Sequence, residues 1–487
     1  MQLINLYHSY NYETENLLRL FFPDGVERSL SVPEQGDYML TSLEGNTVFA
    51  VLCLKGEEKS VIWEYSDADI PSYDTRDSFF ERKIALAMFA LLSEMTGYTP
   101  PWGILTGVRP AKLMGKLCLS MGDEKAKEYF IKELLVSEEK TNLAYEVSKK
   151  EAPIIEDASG EKSFSLYVSI PFCPTRCSYC SFISHSNDKA KKLMPEYTEY
   201  LVKEIAETGR IAKELGLKLE SVYFGGGTPT ALTEELLKKV TDAVSEEFDL
   251  SSLREYTIEA GRPDSVTREK FRIMKNCGCE RISINPQTFN DGVLKVIGRN
   301  HTSEETLSAM KAARDEGFGF INMDLIAGLP TDSLESFSST LETTLSLEPE
   351  NITVHTLALK RSSNIVTEGR ETNSGILASK MLSLAQKRLT ESGYKPYYMY
   401  RQSKCLGNLE NVGWAKDKYE CLYNVYMMEE CHTVLAVGAG AVTKLKNPGG
   451  NEIERIFNYK YPYEYISGFD EIIKRKKQIY LFYEGIQ

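Results

Sequence analysis

From residue 164 onward, short β-branched or aromatic runs alternate with longer amphipathic stretches, and this alternation constrains the fold more than any other feature. Repeated strand–helix units predict parallel strands joined by right-handed crossovers. Six such units in about 190 residues are too few for an eight-stranded barrel, which needs roughly 250. The sequence therefore predicts the α/β class and a partial, six-stranded (β/α)6 barrel. The predicted strands cover residues 166–170, 221–224, 256–260, 281–284, 321–326 and 352–357. The predicted helices between them cover residues 195–215, 233–248, 265–276, 303–316 and 333–347.

Three cysteines directly follow the first predicted strand in the order C-x3-C-x2-C: Cys173, Cys177 and Cys180. A zinc site would need a fourth cysteine or histidine at a usual spacing, and a chain without a sign of export disfavours a disulfide. A zinc or purely structural role stays open. Three thiolates on one loop suit a [4Fe–4S] cluster in which one iron keeps an open position for a substrate or cofactor.

Glycine-rich and polar segments follow the later strands, at the edge where a parallel sheet places its chemistry. Residues 225–230 read Gly-Gly-Gly-Thr-Pro-Thr, and glycines let backbone amides approach a ligand closely. Such a turn alone is a weak indication, but behind the cysteine loop it becomes a strong one. Each polar residue could instead pair with a neighbouring charge or lie on a solvated face. The polar candidates at or after the third, fourth and fifth strands are Glu259, Gln287, Arg299 and Asp324.

The cysteine spacing, with Tyr179 before the last cysteine, resembles the signature of radical S-adenosylmethionine (SAM) enzymes. The segment from Tyr167 to Cys173, Tyr-Val-Ser-Ile-Pro-Phe-Cys, is similar to that of the oxygen-independent coproporphyrinogen III oxidase family. The resemblance covers about residues 166 to 445. It implies a radical SAM barrel, a [4Fe–4S] cluster on the three cysteines, and one or two SAM molecules. The positions that it implies as SAM contacts are Tyr167, Tyr179, Gly226, Gly227, Thr228, Glu259, Gln287, Arg299, Asp324 and Ala358.

In that family, one electron from the reduced cluster cleaves SAM to methionine and a 5′-deoxyadenosyl radical. The implied reaction converts two propionates of coproporphyrinogen III to vinyl groups with loss of CO2. It implies a tetrapyrrole substrate and an electron donor such as flavodoxin or ferredoxin, and it assigns no catalytic acid or base. Within the family, the residues Thr106 to Pro110 and Asn408 to Trp414 most resemble the HemZ type.

Two positions depart from the oxidases of this family. Those oxidases have a histidine where this chain has Ser169, and a further cysteine where it has Phe182. The phenylalanine is shared with the family's heme chaperones, yet their His-Asn-x-x-Tyr-Trp motif is missing at Trp414. Three functions therefore stay open: a coproporphyrinogen decarboxylase, a heme-binding delivery protein, and a radical SAM enzyme that modifies another tetrapyrrole. Three arginines are candidates for binding propionates by position only, with ordinary surface arginines as the alternative: Arg262, Arg361 and Arg401.

The formal net charge of −13 disfavours a general nucleic-acid binder, which needs basic patches. No apolar run approaches the length of a membrane span, and residues 1–8 do not look like a signal peptide, so we expect a cytoplasmic protein without a membrane partner. The length predicts several domains. We expect an N-terminal α+β accessory domain at residues 1–160, the barrel at 161–360, and a C-terminal α+β extension at 361–487 that covers the substrate.

Outside the barrel the sequence is less specific. The N-terminal part shows strand-like runs and then a strong amphipathic helix at about residues 77–95, and the acidic residues 151–161 are the predicted linker. Residues 394–401 and 459–465 are dense in tyrosine. They suit either a wall for a flat tetrapyrrole or edge strands in ordinary packing.

Overall fold

The computed structural model describes residues 1–487 except 24, 73, 159, 161, 181–184, 187–191, 370–371, 403, 448–449, 451 and 485–487, and except the side chains of residues 185 and 186. Phe182 therefore lies outside the described residues. The chain divides into two compact units, Met1–Ser148 with Arg401–Leu409, and Lys149–Tyr400 with Glu410–Gln487. The domain bounds expected from the sequence stay predictions.

The first unit is an α+β module built on a sheet of five described strands. These strands are β1 Gln2–Leu6, β2 Glu27–Arg28, β3 Tyr38–Glu44, β4 Thr47–Leu54 and β5 Glu57–Glu64. Their order is β2-β1-β3-β4-β5; β1 pairs in parallel with β2 and β3, whereas β3, β4 and β5 form an antiparallel meander. The helices are α1 Asn11–Phe21, α2 Arg76–Thr96, α3 Pro110–Met121, α4 Asp123–Lys132 and α5 Glu138–Glu156. Helix α5 extends into the second unit, so residues 151–156 of the predicted linker are helical.

Helix α2 confirms the amphipathic helix predicted at residues 77–95. The Thr75 side chain caps its first turn by accepting a hydrogen bond from the Ser78 amide, and the helix ends at Gly97 with φ 68°. Its buried face, which includes Ile84 and Met88, packs against β4. The helix and the sheet therefore bury one common apolar layer.

Residues 401–409 belong to the first unit through Arg401, which is 3% exposed. Its guanidinium lies 5.3 Å from the centroid of the Trp102 ring and donates to the Leu105 carbonyl at 2.5 Å. It also donates to the carbonyls of Gly107 and Asn408. Arg401 is therefore a buried structural arginine, which corrects its interpretation as a surface residue.

The second unit is built on a sheet of eleven described strands. These strands are β6 Ser163–Ile170, β9 Lys218–Gly226, β10 Glu255–Glu259, β11 Arg281–Ser283, β12 Phe320–Ala327, β13 Asn351–Thr356, β14 Lys395–Arg401, β15 Glu410–Ala415, β16 Thr433–Val437, β17 Val442–Lys446 and β18 Ile453–Phe457. A separate short pair is β7 Phe172–Cys173 with β8 His185–Ser186. The helices are α6 Met194–Glu214, α7 Glu234–Glu247, α8 Arg268–Asn276, α9 Asp291–Val296, α10 Ser303–Asp315, α11 Leu334–Ser346, α12 Asn364–Thr367, α13 Gly375–Glu391, α14 Leu422–Glu429, α15 Pro462–Ser467 and α16 Phe469–Glu484.

Strands β6, β9, β10, β11, β12 and β13 are neighbours in this order, and every pair among them is parallel. This arrangement confirms the six predicted strands and the α/β class with a partial barrel. One predicted helix begins later than expected. Residues Pro263–Ser265 form a 3₁₀ turn, and Thr267 then caps α8 by accepting from the Lys270 amide.

The six parallel strands have an apolar face and a polar face. Side chains such as Leu166, Val222 and Ile282 share one buried core with the helices. On the other face, Ser221 donates to Ser165, and Thr353 donates to Asn322. Since successive side chains of a strand alternate between faces, the polar set occupies every second position. Its members are Ser165, Tyr167, Ser169, Ser221, Tyr223, Glu255, Thr257, Glu259, Arg281, Ser283, Asn322, Asp324, Asn351, Thr353 and His355.

The C-terminal strands extend both edges of this sheet. Strand β15 pairs antiparallel with β13, and β14 lies beyond it at the edge. On the other side, β16 pairs in parallel with β6 and continues into the antiparallel strands β17 and β18. Residues 395–401 thus form an edge strand, and its Tyr397 and Tyr398 are buried. Residues 462–465 begin α15. No helix in the described parts of the chain is long and apolar enough to cross a membrane.

Gly413 on β15 offers a direct test of this packing. A Cβ atom at Gly413 would lie 1.8 Å from Cε1 of the buried Tyr398 ring. Gly413→Ala must therefore displace the ring, and we expect it to lower the free energy of unfolding by about 3 kcal/mol in urea melts. Gly319→Ala is the matched control, because its Cβ would meet nothing within 4 Å. Equal urea midpoints for Gly413→Ala and Gly319→Ala would contradict this account of the packing.

Candidate functional site

The cysteine loop follows β6 and is joined to the glycine-rich turn that follows β9. The Gly227 amide donates to the Ile170 carbonyl at 2.8 Å, and the Thr228 amide donates to the Phe172 carbonyl at 2.7 Å. A Cβ atom at Gly227 would lie 2.6 Å from the Phe172 carbonyl oxygen and 3.0 Å from Cys173 Sγ. The loop can therefore approach this turn only because residue 227 is glycine.

Three further contacts tie the loop to this turn and to later segments. The hydroxyl of Thr228 lies 3.4 Å from Cys173 Sγ. The Ser178 amide donates to the Ile297 carbonyl at 2.8 Å, and the Ser178 carbonyl accepts from the Ile365 amide at 2.9 Å. The loop that carries the cysteines is thus anchored at both ends, and its thiols lie at the carboxyl ends of the parallel strands.

Arg299 joins the loop to the fourth strand. Its guanidinium donates to Tyr179 Oη at 3.2 Å and to the Asn285 carbonyl at 2.6 Å. Although burial works to lower it, the pKa of Arg299 is raised, because the Tyr179 phenol and the Cys177 thiol lie beside the guanidinium. Arg299 therefore carries a full positive charge beside the cysteine loop.

Glu259 ends β10 and lies against a stack of tyrosine rings. Its Oε1 accepts a hydrogen bond of 2.5 Å from Tyr223 Oη. The rings of Tyr223 and Tyr423 stack with centroids 4.4 Å apart, and Tyr167 stacks on Tyr423 at 6.1 Å. Burial raises the pKa of Glu259 to about 7, and the nearby Asp324 carboxylate adds to the shift. This carboxyl group therefore changes its charge near neutral pH.

Asp324 lies within β12, three residues before its end, and its pKa is shifted in the opposite direction. Asn322 Nδ2 donates to its Oδ1 at 2.7 Å, and His355 Nε2 lies 3.7 Å from its Oδ2. Burial works to raise the pKa of Asp324, but the His355 ring and the Asn322 amide outweigh it and hold the pKa below its usual value. The pKa values of these two carboxyl groups are thus shifted in opposite directions.

Gln287 is fixed between the fourth and fifth strands. Its backbone has φ 67°, its amide donates to the Asp324 carbonyl at 2.9 Å, and its carbonyl accepts from the Ile326 amide at 3.0 Å. Its side-chain oxygen and that of Asn285 are buried without a hydrogen-bond partner among the described residues. Buried polar atoms of this kind are usually paired, so they suit a polar ligand at the strand ends.

The structure connects most of the predicted site residues through contacts. Cys173 meets Gly227 and Thr228, Tyr179 meets Arg299, and Gln287 meets Asp324. Through Tyr223 and the tyrosine stack, Glu259 is joined to Tyr167. Cys180 follows within the loop, and its amide donates to the Cys177 carbonyl at 3.1 Å. Ala358 lies two residues after β13, and its carbonyl accepts a hydrogen bond from the Lys360 amide at 3.1 Å.

Several residues of the site were not singled out by the sequence. Tyr223 and His355 contact or face the predicted carboxylates, and Tyr423 stacks on the Tyr223 ring. The detectable signal for Tyr223 and His355 is the polar side chain at every second position of a strand whose other positions are apolar. Tyr423 carries no such signal, because α14 reaches the site through tertiary packing.

Ser169, the first departure from the family pattern, is 5% exposed and hydrogen-bonded. Its hydroxyl donates to the Ala439 carbonyl at 2.8 Å, and its own carbonyl accepts from Tyr197 Oη at 2.8 Å. A Cβ atom at Gly438 would lie 2.5 Å from the Ser169 carbonyl oxygen. A small residue at position 169 therefore matches the close packing of the turn at 438–439.

The donor set suits an iron–sulfur cluster better than a single metal ion. In the described part of the chain, no group of three or more His, Cys, Asp or Glu side chains is arranged to hold one metal ion. A [4Fe–4S] cluster differs, because each thiolate ligates a different iron and the sulfurs stand apart. The three cysteines of the loop, beside the positive charge of Arg299, supply three thiols for such ligation.

Residues 167–344 match the model of the radical SAM superfamily. The oxygen-independent coproporphyrinogen-III oxidase-like protein HemZ of Bacillus subtilis (strain 168) is 36% identical over 484 residues, which cover 96% of this chain and 95% of that protein. The chain belongs to this HemZ-like family of radical SAM proteins. The family carries a [4Fe–4S] cluster and uses SAM.

Two further comparisons place the HemZ-like chain among its relatives. The heme chaperone HemW of Bacillus subtilis (strain 168) is 37% identical over 210 residues, which cover 42% of this chain and 54% of that protein. The structure of coproporphyrinogen III oxidase HemN from Escherichia coli has a TM-score of 0.52 and 23% identity, covering 66% of this chain and 72% of that one. HemN thus shares the fold of this HemZ-like chain.

The raised pKa of Glu259 predicts a pH-dependent stability. The folded protein keeps this proton up to about pH 7, whereas the unfolded chain releases it near 4.5, so the free energy of unfolding falls as pH rises between these values. Across this pH window, the free energy of unfolding of the native protein should fall by about 2 to 3 kcal/mol relative to that of Glu259→Gln, allowing for partial exposure of the side chain.

Thermal melting between about pH 5.5 and 8 tests this expectation. The melting temperature of Glu259→Gln should rise relative to that of the native protein as the pH rises. Glu246→Gln, an exposed carboxylate on α7, is the control that should track the native protein. A constant difference between Glu259→Gln and native protein across this range would show that Glu259 does not titrate there.

Proposed function

We propose that this protein decarboxylates coproporphyrinogen III oxidatively to protoporphyrinogen IX. Each of two propionates would lose CO2, give one hydrogen atom to the 5′-deoxyadenosyl radical and one electron to a one-electron acceptor, and become a vinyl group. The observation that carries the proposal is the meeting of the cysteine loop with the Gly-Gly-Gly-Thr turn and the polar strand ends at one edge of the parallel sheet. The match over nearly the whole length of HemZ supports the tetrapyrrole as substrate class. The proposed location is the cytoplasm, with flavodoxin or ferredoxin as the electron donor.

Each residue of the site has a role that its position supports. Cys173, Cys177 and Cys180 would ligate the cluster, which with SAM supplies one-electron chemistry and hydrogen abstraction. The backbone of Gly226, Gly227 and Thr228 would hold the amino group of SAM.

The polar strand ends would hold the rest of SAM. Glu259, when ionised, would accept hydrogen bonds from the ribose, and the unpaired Gln287 oxygen offers another acceptor. Asp324 remains ionised and Arg299 cationic, so they would orient the polar groups of SAM by charge. Ala358, Tyr167 and Tyr179 stay proposed contacts by family position.

The tyrosine stack would keep water from the reacting atoms. Tyr167, Tyr223 and Tyr423 stack below Glu259 on the polar face of the strands. Excluding water protects a reactive intermediate and holds the reacting groups in one geometry. The protein's contribution is therefore orientation and enclosure.

A heme-delivery function is the second candidate, because the HemW proteins include relatives up to 37% identical. Three of the described histidine side chains offer it little support. His432 hydrogen-bonds to Ser163 and Ser165, His301 is 2% exposed, and His355 faces Asp324. A protein of this kind would show a stable Soret band with heme and negligible turnover of coproporphyrinogen.

The deciding experiment uses anaerobically reconstituted protein with SAM, a reductant and coproporphyrinogen III, followed by mass spectrometry. We expect release of 5′-deoxyadenosine and two successive losses of about 46 Da from the tetrapyrrole, each the loss of one CO2 and two hydrogens. Release of deoxyadenosine only with another tetrapyrrole would favour the third function. A stable heme complex without turnover would favour delivery.

Variants separate the roles of the cluster loop and the strand ends. Cys177→Ala should abolish the cluster absorbance at about 400 nm, whereas Cys279→Ala, a buried cysteine outside the loop, should retain it. Asp324→Asn should keep the cluster and weaken SAM binding about tenfold, because it removes one charge from the strand ends. Loss of the cluster in Asp324→Asn would show that this residue supports the cluster itself.

A further inference from the structure

Arg262 lies in the turn after β10 and is 3% exposed, so it is not a surface arginine. Its Nη1 lies 3.6 Å from Cys177 Sγ, and its Nη2 donates to Thr175 Oγ1 at 3.0 Å. The guanidinium therefore faces the cysteine loop from within the protein. Its donors are engaged there, which corrects its interpretation as a surface residue and leaves a propionate little to bind.

Asp264 fixes the orientation of this guanidinium. Arg262 Nε donates to Asp264 Oδ1 and Nη2 donates to Oδ2, both at 2.9 Å. This two-point contact is rigid and leaves Nη1 directed at the Cys177 sulfur. The positive group thus stands between a carboxylate and a thiol that we assign to the cluster.

The turn that carries the pair is itself held in place. Ser265 Oγ donates to the Arg262 carbonyl at 2.8 Å and lies 2.7 Å from Thr230 Oγ1. The buried Lys270 ammonium donates to the carbonyls of Thr230 and Ser265, both at 2.8 Å. The Arg262 turn is therefore bonded to the end of the Gly-Gly-Gly-Thr-Pro-Thr turn.

A second buried guanidinium, that of Arg299, also lies beside Cys177. Both guanidinium charges also affect the pKa of the nearby His301 ring. Burial, and then the charges of Arg299 and Arg262, lower the pKa of His301 to about 4. The side of the loop that carries Cys177 is thus positively charged and shielded from water.

We propose that Arg262 is a positioning residue for the cluster: oriented by Asp264, it donates to the Cys177 sulfur and makes one-electron reduction of the cluster more favourable. The inference rests on the cluster ligation proposed above and not on the tetrapyrrole. Reduction takes one electron from the donor protein or a chemical reductant and adds one negative charge to the cluster. Hydrogen bonds to cluster sulfurs and a nearby buried cation stabilise that charge.

The test is a redox titration of the reconstituted full chain, followed by electron paramagnetic resonance, without SAM or tetrapyrrole. Arg262→Met should make reduction about tenfold less favourable, which corresponds to 59 mV for one electron. Asp264→Asn should make reduction several-fold more favourable, because the guanidinium loses its counter-charge and keeps its place beside the sulfur. Opposite shifts are expected for the two variants only if the pair acts by charge.

Arg176→Met is the matched control, because Arg176 precedes Cys177 in the same loop but is exposed and donates to the Ser362 carbonyl at 2.8 Å. In Arg176→Met the equilibrium constant for cluster reduction should change less than twofold, since solvent screens the charge of an exposed arginine. Shifts of the same sign in Arg262→Met and Asp264→Asn, or shifts no larger than that of Arg176→Met, would overturn the proposal.

The iron content of each variant guards against a merely structural effect. If Arg262→Met fails to hold iron, Asp264→Asn decides the question, and an unchanged or less favourable reduction in that variant overturns the proposal. Native protein that binds the cluster but does not decarboxylate coproporphyrinogen would refute the proposed function alone. The redox prediction would then still be tested by the same titration.

Discussion

The close approach of two backbones supports everything else at this site. Two amide hydrogen bonds join the segment after β6 to the turn after β9, and the space at Gly227 is too small for any side chain. At Gly225, a Cβ atom would lie 3.0 Å from the Tyr223 ring and 3.3 Å from Glu259 Oε1. The same turn therefore positions the cysteine loop on one side and the tyrosine–carboxylate pair on the other.

The polar face of the sheet is costly to bury, and the structure compensates through pairing. Glu255 accepts from the amides of Leu422 and Tyr423 at the start of α14, and it lies 3.4 Å from Arg281. These contacts hold α14 beneath the strands and bring Tyr423 into the stack. Buried charges that are paired and hydrogen-bonded lose less on desolvation than isolated ones. The unpaired side-chain oxygens of Asn285 and Gln287 lie after the end of β11, where a ligand can satisfy them.

The N-terminal α+β unit is shared with HemZ, because the match to that protein covers 96% of this chain. The alignment with HemW is shorter, at 42% of the chain. An extended resemblance of this kind sets the chain in the HemZ-like family.

The sequence alone predicted the six parallel strands, the cysteine loop and the strand-end residues, because these depend on local periodicity and spacing along the chain. It did not predict that the C-terminal strands would extend both edges of the sheet, since strand pairing across hundreds of residues leaves no local pattern. The same holds for side-chain partners. Arg262 and Arg401 look alike as sequence positions, yet one faces Cys177 and the other lies against Trp102. Only tertiary packing decides which atoms meet, and therefore which charges face the cysteine loop.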